Sequence, residues 1–151
     1  MKITFYGVRG SIASPGPTTV KYGGNTSCVY LELDNGQILI LDAGTGIRQL
    51  GRRLAATDHT INILLSHGHW DHIQGYPFFK PIYQPERRIR VFTSAVSNHG
   101  QLCALFDQID GASFPVNVQE LPSSPGSGGL RPQKERDGTF SRNVSVPSCD
   151  R

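Results

Sequence analysis

Apolar and polar positions alternate along Lys2-Ile3-Thr4-Phe5-Tyr6-Gly7-Val8, which predicts a strand. A loop rich in Gly, Ser and Pro then runs from Arg9 to Asn25. Cys28-Val29-Tyr30-Leu31-Glu32-Leu33 reads as a second strand, Asp34-Asn35-Gly36 as a turn, and Gln37-Ile38-Leu39-Ile40-Leu41 as the returning strand of a hairpin. The third strand is nearly continuous in apolar character, which predicts burial on both of its faces. Asp42-Ala43-Gly44-Thr45-Gly46 closes it.

A helical period follows, with Ile47, Leu50, Leu54 and Ala55 on one side and Arg48, Arg52 and Arg53 towards solvent. Ile61-Asn62-Ile63-Leu64-Leu65 predicts another buried strand. Asp71 is expected to open a short helix through His72, Ile73 and Gln74, where a carboxylate suits the N-terminal dipole. Pro77 and Pro81 limit its length. Ile89-Arg90-Val91-Phe92-Thr93 predicts a strand, and Leu102, Leu105, Phe106 and Ile109 carry helical spacing, with His99 ahead of that helix. Strands and helices alternating in this way indicate a layered α/β fold with a mixed sheet and flanking helices. The pattern stops near Leu121. From Pro122 to Arg151 about half the residues are Gly, Pro or Ser, so this segment is expected to be a disordered tail. The predicted organisation is therefore a domain over 1–121 and a tail over 122–151.

Composition changes this picture little. A length of 151 residues suits one domain, and 37% hydrophobic with 18% charged residues suits a soluble one. A net charge of +3 favours an anionic substrate slightly and leaves no footprint for nucleic acid. Cys28, Cys103 and Cys149 are odd in number and lack C-x-x-C spacing, which supports neither a disulfide framework nor a cysteine zinc knuckle. No apolar stretch reaches membrane-span length, and Met1-Lys2-Ile3-Thr4-Phe5 lacks a signal-peptide core, so a reducing cytoplasm is expected.

The chemistry concentrates in Ser66-His67-Gly68-His69-Trp70-Asp71-His72, directly after an apolar strand. Three of the five histidines fall there, with one carboxylate among them. Imidazole suits zinc, iron and manganese, and a carboxylate adds charge to hold a second divalent ion. A solvated loop would scatter its histidines instead. Ligands of open α/β sheets gather beyond the carboxyl ends of strands. Asp42 ends the neighbouring apolar strand, where it either caps a turn or hydrogen-bonds a ligating imidazole and fixes its tautomer. The loop from Gly7 to Gly24 lacks G-x-x-x-x-G-K-[ST] and is expected to line the rim of the site rather than cradle phosphate. Arg87, Arg88 and Arg90 are expected to form a solvated basic edge, and Trp70 to pack the ligand loop.

His67-Gly68-His69-Trp70-Asp71-His72 after such a strand resembles the signature of the metallo-β-lactamase superfamily, whose fold is an αβ/βα sandwich. Gly7-Val8-Arg9-Gly10-Ser11, Tyr22-Gly23-Gly24-Asn25-Thr26-Ser27-Cys28 and Leu41-Asp42-Ala43-Gly44-Thr45-Gly46 resemble its ribonuclease Z and cyclic-phosphate phosphodiesterase branch. The resemblance runs from Met1 to about Leu121. It implies that His67 and His69 bind one metal and Asp71 and His72 a second, that Asp42 is the family's strand-end aspartate, and that both ions, zinc first with manganese or iron as alternatives, hold a hydroxide that attacks phosphorus. It also gives Asp71 a part in handling the proton. His69, where redox-active diiron relatives usually carry glutamate, favours hydrolysis.

Such relatives take further ligands from a second half of the sandwich, and no motif after His72 matches one. His99, Asp107, Asp110, Asp137 and Asp150 have no such context. The expectation is the N-terminal half of the fold, ended by truncation or a shifted reading frame, with an apolar face that a second copy of the chain covers. The expected substrate is a small phosphodiester or nucleotide-like molecule. The alternatives are a non-catalytic metal-binding protein and a thioester or lactam hydrolase of the same superfamily.

Overall fold

The computed structural model describes residues 1–85, 87–93 and 98–123, less the side chains of residues 98, 99 and 101. The expected tail over 122–151 therefore lies almost wholly outside the described residues. Five strands, β1 (Lys2–Gly7), β2 (Cys28–Glu32), β3 (Ile38–Leu41), β4 (Ile61–Leu64) and β5 (Ile89–Phe92), form one sheet in chain order. The first three are antiparallel and the last three parallel, so the sheet is mixed as expected. The β2–β3 hairpin turns at Gly36, whose φ of 78° is a left-handed conformation that glycine adopts without Cβ strain.

Parallel pairing requires crossovers. The first is α1 (Ile47–Leu54), which buries Ile47, Leu50 and Leu54 and points Arg48, Arg52 and Arg53 outward, the stripe its spacing predicts. The second contains α2 (Trp70–Ile73) and two short 3-10 turns at Tyr76–Phe78 and Lys80–Tyr83, both carrying the prolines that stop α2 from extending. α2 thus begins one residue ahead of the expected Asp71, with Asp71 inside its first turn. A further helix, α3 (Asn98–Asp107), includes His99 rather than following it.

Register divides the sheet into two unlike faces. Tyr30, Ile40, Ile63 and Val91 stand side by side across β2 to β5, and all are buried with Ile38, Ile61 and Ile89 in the next row. On the opposite face Phe5, Val29, Leu41, Leu64 and Phe92 form a continuous apolar row across all five strands, yet none is buried. Phe5 is 67% and Leu64 41% exposed. This corrects the expectation that β3 and the Ile61–Leu65 strand are buried on both sides. Their continuous apolar character is real, but the layer that would bury the second face is not among the described residues.

Arg87 also departs from expectation. It is buried, not solvated, and its guanidinium donates to the carbonyls of Thr57 and, at 2.5 Å, of Leu54. The Leu54 carbonyl ends α1 and the Thr57 carbonyl lies just beyond it, a helix end where acceptors lack helical partners and a cation is favoured.

Candidate metal centre

The site is built at the carboxyl ends of β3 and β4, the place a parallel pair offers to a ligand. The chain leaving β3 bonds to three neighbours. Asp42 N–H donates to the Leu64 carbonyl (2.9 Å), Ala43 N–H to His72 (2.7 Å) and Gly44 N–H to Ser27 (2.9 Å). This lays Asp42 beside the start of α2. The approach at Gly44 is so close that a Cβ there would meet the Asp71 carbonyl at 2.3 Å and the Thr26 hydroxyl at 2.5 Å, so only glycine fits.

Asp42 is 6% exposed and adopts a left-handed φ of 62°, a conformation Asp tolerates better than most residues. Its carboxylate accepts from Ser66 N–H (2.8 Å), the Ser66 hydroxyl (2.8 Å) and the Ser27 hydroxyl (3.1 Å), and pairs with His72 Nδ1 at 2.8 Å. Since a carboxylate only accepts, His72 Nδ1 carries the hydrogen. Of the two roles left open by the sequence, the geometry displays the bond to an imidazole, that of His72. Donation from Nδ1 leaves His72 Nε2 as the lone-pair nitrogen of the neutral ring. That nitrogen faces Asp71 Oδ2 at 3.4 Å. Two acceptors so close repel each other unless a cation or a proton lies between them.

A second pair forms beside it. His67 Nε2 and His69 Nδ1 lie 3.0 Å apart, while His67 Nδ1 meets the Ser66 hydroxyl at 3.0 Å. The Ser66 hydroxyl already donates to Asp42, so it is placed to accept from His67 Nδ1–H. The His67 ring centroid is 4.4 Å from that of His69 and 4.1 Å from that of His72. Hence His67, His69, Asp71, His72 and Asp42 all come together, as two donor pairs plus the carboxylate that orients one of them. The donor chemistry fits divalent ions. Among the described residues, however, no three His, Cys, Asp or Glu side chains close on one metal position. Each pair needs donors from elsewhere to complete a tetrahedral shell.

Ser11 reaches this centre from 60 residues away, its N–H donating to Asp71 Oδ2 at 2.8 Å. That bond holds the Asp71 carboxyl below the usual carboxylate range, with the neighbouring histidines adding to the effect. The Gly-rich loop thus borders the site, as expected. Trp70 does not pack the ligand loop: its side chain is 72% exposed between His69 and Asp71. Sequence reading missed Ser66, Ser27 and Ser11. Ser66 had a signal, being the residue between the apolar strand and His67. Ser11 and Ser27 stand in the stretches that carry the family resemblance, but their partners are distant along the chain and nothing local names their roles.

The sequence profile of the metallo-beta-lactamase superfamily matches residues 22–122. Ribonuclease Z of Haloarcula marismortui is 30% identical over 126 residues, a stretch covering 80% of this chain and 37% of that protein. The chain therefore spans little more than a third of that relative's length. No solved structure matches it. The profile takes in well over half of the chain and includes the histidine cluster with Asp42, so the chain belongs to the metallo-beta-lactamase superfamily.

Proposed function

We propose that this chain supplies the first half of a dinuclear phosphodiester-hydrolysing centre, with zinc as the metal and manganese or iron as alternatives. The observation that carries this reading is the pairing of donors: His67 Nε2 with His69 Nδ1, and Asp71 Oδ2 with His72 Nε2. Divalent ions bound there would acidify a water and polarise the phosphoryl oxygen. The protein's own part is to hold the donors. Asp42 and Ser66 hold His72 and His67 through their Nδ1 atoms, and Asp71, besides holding metal, would be the carboxylate at hand to take up the proton. A phosphodiester fits the similarity to a protein named ribonuclease Z, and a small nucleotide-like substrate fits the mild positive charge. A cytoplasmic setting and a second copy across the open sheet face belong to the same reading. No helix among the described residues is long and apolar enough to cross a membrane.

A second reading, a metal-binding protein that hydrolyses nothing, is favoured by one observation: among the described residues no third donor joins either pair. Metal analysis of the purified chain separates the two, run beside turnover of bis(p-nitrophenyl) phosphate and of a thioester. Two tightly held ions with phosphodiester turnover support the first reading. One ion or none, without turnover, supports the second, and thioester turnover alone moves the substrate class. His69→Ala should abolish metal retention, and unchanged bound metal in that variant would place the site elsewhere.

A further inference from the structure

We infer that Ser11 is a positioning residue of the candidate metal centre, its main-chain N–H setting where the Asp71 carboxylate sits; the inference rests on the metal-centre reading above. Two independent observations meet at this residue. Ser11 has a φ of 68°, in the left-handed region that a side-chain-bearing residue other than Asn or Asp seldom adopts, and it is exposed, so core packing does not impose the conformation. Its N–H also lies 2.8 Å from Asp71 Oδ2.

The loop is anchored on both sides of that point. Val8 and Arg9 donate to the Asn25 carbonyl at 3.1 and 3.0 Å, and Ser14 donates to the Gly24 carbonyl at 2.9 Å. Ile12 N–H turns back to Gly10 at 2.9 Å, and the Arg9 side chain donates to the Ile12 carbonyl at 3.2 Å. These bonds fold residues 9–14 into a tight bend whose apex presents one N–H to a carboxylate. A hydrogen bond to an ionised acceptor is shorter and stronger than a neutral one. The oxygen it holds is the one facing His72 Nε2 at 3.4 Å, so Ser11 governs the spacing of that donor pair. Because the N–H acts and not the hydroxyl, the role tolerates glycine and excludes proline, which has no N–H and fixes φ near −65°.

The test is zinc titration of the full chain in three forms. Ser11→Pro should weaken zinc binding by about 10-fold to 100-fold, the usual effect of removing a ligand's supporting contact. Ser11→Gly, which keeps the N–H and accepts the left-handed backbone, should restore binding to within about twofold of the wild type. Equal loss in both variants, or wild-type binding by Ser11→Pro, overturns the inference. Amide exchange of Ser11 without metal provides a second measurement that a misfolded proline variant cannot spoil. Asp71→Ala should speed that exchange by about tenfold or more, and an unchanged rate overturns the inference. Should the wild type hold no zinc at all, the metal-centre reading fails, while the exchange comparison still decides whether Asp71 engages the Ser11 N–H.

Discussion

The two faces of this sheet are made from the same kind of residue and have opposite fates. Ile63 and Leu64 are neighbours in sequence, both apolar and both in β4, yet Ile63 is fully buried and Leu64 is 41% exposed. Ile63 lies in the row with Tyr30, Ile40 and Val91 on the buried face of the sheet. Leu64 lies in the row of Phe5, Val29, Leu41 and Phe92 that stays open. Hydrophobicity in a strand therefore records what a face is suited to meet, not what it meets in a given chain. A contiguous apolar row of this kind is suited to burial beneath a further layer or a partner.

The largest test of this contrast is one substitution on each side of it. Ile63→Ala should destabilise the chain by about 2–5 kcal/mol, the usual effect of emptying a fully buried aliphatic site. Denaturant melts give the value directly. Leu64→Lys should change stability by no more than about 0.5 kcal/mol, as for an exposed position, while lowering self-association in sedimentation if a second copy covers the open face. A loss for Leu64→Lys equal to that for Ile63→Ala would show that the open face is covered after all. The smallest effect concerns Cys28, buried in the row beneath Gly7 at the start of β2. Burial, with the Asp42 carboxylate adding to it, pushes its thiol up to about 12 from an ordinary 9. The folded state therefore favours the neutral thiol. The stability this contributes is complete below pH 9 and is lost as the pH rises through about 12. Thiol reagents at pH 8 should label Cys28 only on unfolding, and rapid labelling of the native chain would contradict its burial.

Much of this architecture was legible because it rests on local signals. Alternation in β1, the Asp34-Asn35-Gly36 turn and the stripe of Ile47, Leu50 and Leu54 each express a backbone period within a few residues. The histidine cluster was legible for the same reason, since three imidazoles in six positions cannot spread far apart. What was not legible depended on distance along the chain. Arg87 looks like part of a basic edge until the end of α1 is placed against it. Trp70 looks like packing until its surroundings are seen to be open.

Strands ending in a histidine-rich turn, a helix between them and an aspartate at the neighbouring strand end are all readable from the order of residues. These follow from periodicity and residue chemistry, which are properties of short segments. Only the three-dimensional arrangement sets which nitrogen of His72 faces Asp71, that Ser66 and Ser27 secure Asp42, that Ser11 grips Asp71 from 60 residues away, and that one sheet face is left without a covering layer among the described residues. The physical reason is the same in each case. Hydrogen bonds and burial are set by which groups meet in space, and for these residues the meeting is made by the sheet register and by the loop between β1 and β2 rather than by their neighbours in the chain.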